Sequence, residues 1–106
     1  MKPYGIHDII GDKRDTILQL AEKYGFTNVR VFGSVARGEA NDTSDVDILL
    51  DYDEPPTLIE LAGLHRELEA LLGRSVDIAI AKNLRERIYP RVMRDAVALS
   101  NLTPQP

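Results

Sequence analysis

Three short β-rich runs, separated by stretches of helical period, set the limits on this chain. They are residues 27–32 (TNVRVF), 45–52 (DVDILLDY) and 75–80 (SVDIAI). A lone strand of this length cannot bury its apolar face, so these runs must share a sheet that helices cover. Residues 12–24 read as the first helix. Ile17, Leu20, Ala21 and Tyr24 recur at helical spacing, Asp12 and Asp15 lie near its start, and Gly25 stops it. Residues 33–38 read as a turn or a short helical start. Thr57 with Glu60 three residues later forms a capping-box pattern, and the helix that follows runs to Leu72. Leu61, Leu64, Leu68 and Leu71 make its stripe, and Gly73 ends it. Residues 84–96 read as a last helix, kinked or restarted at Pro90. The order α-β-turn-β-α-β-α predicts an α/β (α+β) fold: a small mixed sheet with helices packed on one face. Strand direction does not follow from the pattern.

At 106 residues, 43% of them hydrophobic, the chain suits one domain over 1–106 with its core in about 12–99. Residues 1–7 and 101–106 are expected to be loose tails. The absence of cysteine excludes a disulfide scaffold, a thiolate zinc site and a cysteine nucleophile, and it fits a reducing cytoplasm. No apolar run is long enough to span a bilayer, and no apolar segment follows the first residues, so neither membrane nor leader is expected and a cytoplasmic location is. A net charge of −4 gives no basic footprint, which disfavours a long nucleic acid as partner.

The polar positions of the strands carry the chemistry. Asp45 and Asp47 are two apart, so they share one face, while Val46, Ile48 and Leu50 take the other and supply the core. Asp77 repeats the arrangement, opposite in face to Val76, Ile78 and Ile80. If the two strands are neighbours, three carboxylates converge. Like charges this close repel, and a divalent cation relieves them. Mg²⁺ prefers hard oxygen ligands and keeps waters and substrate phosphates around it. Two such ions roughly 4 Å apart can clamp the attacking and leaving oxygens of an in-line displacement at phosphorus. Taken singly, each aspartate also reads as a solvated strand-end charge, and Asp51, Asp53 and Glu54 are assigned to that class.

Gly33 and Ser34 follow the first strand. Glycine lets backbone N–H groups approach a phosphate, and the Ser34 hydroxyl can donate one more hydrogen bond. Alone this is an ordinary turn. Joined to the aspartates it becomes G-S-x10-D-x-D, a spacing that arises by chance in roughly one chain of this length in a thousand.

The stretch GSVARGEANDTSDVDILLDYD resembles the minimal nucleotidyltransferase family of the DNA polymerase β superfamily, and in particular the MntA-type antitoxins of HepT–MntA toxin–antitoxin modules. The likeness extends over about residues 12–99. It implies that Gly33 and Ser34 hold a nucleoside triphosphate and that Asp45 and Asp47 bind Mg²⁺, two ions being expected. It implies that Asp77 is the third catalytic and metal-binding carboxylate, helping to activate the acceptor hydroxyl. An arginine recurs in the family at the place of Arg37, which implies triphosphate or acceptor contacts. The implied reaction is transfer of AMP from ATP to a tyrosine hydroxyl of a co-encoded HepT-like toxin. Larger relatives carry an acceptor domain for which this chain has no residues to spare, so a second chain is expected to present the acceptor.

Two other readings stay open at this point. One is an antitoxin that neutralises its partner by contact alone, suggested by Arg87, Arg91 and Arg94 at one predicted helix face. The other is a transferase for a small cationic acceptor of the aminoglycoside kind. His7 and His65 are given no role.

Overall fold

The computed structural model describes residues 3–102, and what was expected of residues 1–2 and 103–106 in the two tails lies outside them. Its elements are α1 (Ile6–Ile9), a 3-10 turn (Gly11–Lys13), α2 (Arg14–Lys23), β1 (Phe26–Phe32), α3 (Gly33–Arg37) and β2 (Val46–Tyr52). There follow α4 (Leu58–Leu72), β3 (Val76–Ile80), a 3-10 turn (Ala81–Asn83), α5 (Tyr89–Asp95), β4 (Val97–Ala98) and a 3-10 turn (Leu99–Asn101).

The sheet is mixed, in the order β3-β2-β1-β4. The β1–β2 and β1–β4 pairs are antiparallel, and β2 and β3 run parallel across the helical crossover α4. One face carries Val31, Val46, Ile48, Leu50 and Val76 into a core completed by Ile17 and Ala21 of α2 and Leu64 and Leu68 of α4. The four β2 residues Val46, Ile48, Leu49 and Leu50 are all 0% exposed, so the expected inward set holds and Leu49 is buried on the opposite face as well.

Local chemistry explains the boundaries. The Glu60 N–H donates to Thr57 Oγ1 at 3.0 Å and the Thr57 N–H to Glu60 Oε1 at 2.9 Å, so the capping box forms as expected. At the other end Gly73, at φ 68°, donates its N–H to the Glu69 carbonyl at 2.9 Å. In β1, Asn28 and Val29 together face Leu50 in a bulge, with Asn28 at φ 50°. Phe26 and Val31 are an odd number of residues apart and would otherwise lie on opposite faces; the extra residue puts both in the core.

Several expectations are corrected. Residues 3–7 are organised: Tyr4 pairs with Ala40 through reciprocal N–H···O bonds of 2.7 and 3.0 Å, and α1 follows. The last helix is α5 alone, because Pro90 sits in its first turn and restarts the chain there. Arg87 therefore precedes the helix, and Arg87, Arg91 and Arg94 do not form one helical face; each is exposed. No helix of the described residues is long and apolar enough to cross a membrane.

Candidate active site

The sheet register brings the candidate carboxylates together. Asp47 of β2 is directly opposite Phe32 of β1 on one side and Asp77 of β3 on the other, so these three side chains form one row on the face away from the main core. Neighbouring strands lie about 4.8 Å apart, so the negative charge of Asp77 acts directly on Asp47. Asp45 falls just before β2, two residues from Asp47, and is exposed.

Gly33, directly after β1 and first in α3, sits at φ 73°, a conformation that side chains disfavour. Its neighbour explains the residue type further. A β-carbon built there would overlap Oδ2 of Asp47 and lie 3.0 Å from its Cγ. The glycine thus makes room for the Asp47 carboxylate, which is why the two belong to one motif. Ser34 opens α3 half-buried, and its carbonyl accepts the Glu39 N–H at 2.9 Å, closing the turn that Gly38 caps.

Burial first, then the negative charges of Asp77 and Asp45, raise the Asp47 pKa above the ordinary carboxylate value; Arg37 opposes this. Arg37 is largely committed elsewhere. Its Nε meets Glu39 Oε2 and its Nη1 meets Asp95 Oδ2, both at 3.0 Å, so it ties α3 to α5. Those hydrogen bonds, donated to Glu39 and then to Asp95, strengthen its hold on its proton. The row of carboxylates is left short of positive charge. Among the described residues no three acidic or histidine side chains are already gathered into a cage for a metal. The residues nonetheless fit Mg²⁺, which needs only a few carboxylates and completes its shell with water and phosphate oxygens.

The loop before Asp45 is tied down. Asn41 Oδ1 accepts from the Thr43 N–H at 2.9 Å, and Arg74 Nη1 donates to the carbonyls of Asn41 and Ser44 at 2.9 and 3.0 Å. Sequence reasoning gave Arg74 no part, and only its contact across 30 residues reveals one. Asp51 also departs from its assignment as a free strand-end charge. It accepts from Asn28 Nδ2 at 2.9 Å and pairs with Arg30 at 3.2 Å.

A mixed sheet whose parallel pair presents carboxylates in register, beside a glycine turn, is the arrangement that the family resemblance implies. The model of the Nucleotidyltransferase domain family matches residues 13–99, and the chain belongs to that family and is a nucleotidyltransferase. It is 44% identical over 79 residues to the protein adenylyltransferase MntA of Thermococcus cleftensis, covering 74% of this chain and 80% of that one. Among solved structures, a minimal nucleotidyltransferase matches with a TM-score of 0.73 and 45% identity, over 80% of this chain and 87% of that one. A chain from the complex of tri-AMPylated Shewanella oneidensis HEPN toxin with its MNT antitoxin matches with a TM-score of 0.63 at 18% identity. That likeness covers 81% of this chain and 67% of the other, and it speaks to the fold alone.

Proposed function

We propose that this chain is the antitoxin of a toxin–antitoxin pair and disarms a HepT-like toxin by moving AMP from ATP onto a tyrosine hydroxyl. The reading rests on one observation above the rest. Asp47 and Asp77 stand in register beside Gly33, short of positive charge, in a chain 44% identical to a protein adenylyltransferase. The AMPylated toxin bound to a fold relative supports the class of acceptor.

In this reading Gly33 and Ser34 hold the triphosphate, and Arg37 contributes there if it leaves Glu39 or Asp95. Asp45, Asp47 and Asp77 hold Mg²⁺, which when bound would neutralise charge on the phosphates and on the carboxylates themselves. Asp77 accepts the acceptor hydroxyl's proton. The oxygen's lone pair forms a bond to the α-phosphorus, the bond from that phosphorus to the bridging oxygen breaks, and pyrophosphate leaves with those electrons.

The test is to incubate the protein with its co-encoded partner, labelled ATP and Mg²⁺. Wild type should label the partner, and Asp47→Asn should lower the rate by about a thousandfold or more. A partner left unlabelled by wild type would end the proposal. Cells still protected by Asp45→Ala/Asp47→Ala would show neutralisation by contact instead.

A further inference from the structure

β3 is an edge strand, and its hydrogen-bonding groups divide cleanly. The Val46 N–H donates to the Ser75 carbonyl at 2.9 Å, which in a parallel ladder turns Ser75, Asp77 and Ala79 toward β2 and Val76, Ile78 and Ile80 outward. The outward groups of Val76 are taken by side chains of α4. Its N–H donates to Glu69 Oε2 at 2.9 Å, and its carbonyl lies 2.7 Å from His65 Nε2. Those of Ile78 have no partner among the described residues. The edge is closed at one point and open immediately after it.

A groove of about 480 Å³ runs along this open edge, lined by Leu58, Leu61, Ala62 and His65 from α4 and by Asp77 and Ile78 from β3. Leu58 in the groove wall and Ile59 next to it are 85% and 84% exposed, at the start of α4. The groove lies on the face to which Ile78 points, whereas the Asp77 side chain stands on the other face, in the row with Asp47 and Phe32.

We infer that the open edge of β3 binds an extended segment of the acceptor protein as an added strand, placing the reacting hydroxyl next to Asp77. The alternation of a strand specifies the segment. A residue opposite Asp77 extends the row Phe32–Asp47–Asp77 by one strand spacing, about 4.8 Å, and so stands beside the carboxylate that takes its proton. Its two neighbours point to the other face and enter the groove, so they must be apolar. The occupant is therefore a segment of apolar–hydroxyl–apolar pattern, with backbone bonds to Ile78 giving affinity and the groove giving register. The inference rests on the function proposed above in taking Asp77 as the group that faces the acceptor.

The probe is a short capped peptide in which a central tyrosine is flanked by valines, added to the full chain without ATP or metal. Exchange of the Ile78 amide proton should slow by about tenfold or more as the peptide saturates the protein, while the exchange of Asp77 changes little. Leu58→Glu should weaken the peptide by about tenfold, the loss expected when one leucine's apolar contact is removed. Ala62→Arg, also at an exposed position, serves as a second variant, and thermal melting checks that both are folded. With ATP and Mg²⁺ added, moving the tyrosine by one position should abolish its labelling. Unchanged Ile78 exchange with undiminished affinity in both variants would overturn the inference. So would Ile78 protection that rises with protein concentration alone, which would mark the edge as a contact between copies. Ile78 protection without AMP transfer would uphold the docking edge and defeat the proposed reaction instead.

Discussion

Two adjacent rows of the same three strands have opposite chemistry. Val31, Ile48 and Ile78 form one row, and Val31 and Ile48 are 0% exposed within the core. Phe32, Asp47 and Asp77 form the next, one residue along each strand and on the other face. The first row holds the fold together. The second holds like charges near one another at a cost to it. A period of two lets neighbouring residues be set for these opposed purposes, and a register slip of one residue would exchange them.

The largest effect should come from breaking the apolar row. Ile48→Ala empties a fully buried site and should cost about 2–5 kcal/mol in urea denaturation. Below the new unfolding midpoint, kcat per folded molecule should stay near wild type. A large loss of kcat with little loss of stability would mean that the two faces are not separable.

Gly33→Ala acts where the second row meets the turn. The positive φ costs roughly 1–2 kcal/mol for a side chain, and the methyl must also displace the Asp47 carboxylate. The expected outcome is about 1–3 kcal/mol of lost stability with AMP transfer reduced by about a hundredfold or more. A double-mutant cycle sharpens the point. In an Asp47→Ala background the methyl meets no carboxylate, so Gly33→Ala should cost only the φ term. Equal costs in both backgrounds would show that backbone conformation alone selects the glycine.

These residues also show how much could be read before any coordinates. The faces of β2 and β3 followed from alternation, and the ends of α4 from Thr57, Glu60 and Gly73, because those signals are local. The motif joining Gly33 to Asp47 was legible as a spacing, but its cause, a carboxylate occupying the space of a β-carbon, is a contact between strands. In residues 84–96 the restart at Pro90 was legible, but not that the stretch before Tyr89 is non-helical, because Leu84, Ile88 and Val92 keep helical spacing across the break. The two residues of β4 are too few to show any period. The resemblance implies triphosphate or acceptor contacts for Arg37, but its bond to Asp95, 58 residues on, is a long-range contact that no local pattern shows. His65 carries no signature, since its partner is a backbone carbonyl brought near by the crossover.

The smallest effect, and the one that probes the second row most directly, is the stability of Asp47→Asn. Burial and the charges of Asp77 and Asp45 raise the pKa of Asp47 in the folded protein, whereas in the unfolded chain it titrates as an ordinary carboxyl. The folded state thus binds the proton more tightly. The stability that protonation contributes is fully present below the ordinary carboxylate pKa and is lost as pH rises through the raised folded value. Near neutral pH the ionised group is a net cost, small because solvent screens a partly exposed site. Asparagine cannot ionise. In metal-free buffer Asp47→Asn should therefore melt slightly above wild type near neutral pH, and the advantage should vanish in acid. Adding Mg²⁺ should raise the melting temperature of wild type more than that of the variant. A variant less stable than wild type in metal-free neutral buffer would show that the carboxylates of this row do not strain the fold, and the contrast between the two faces would then lie in burial alone.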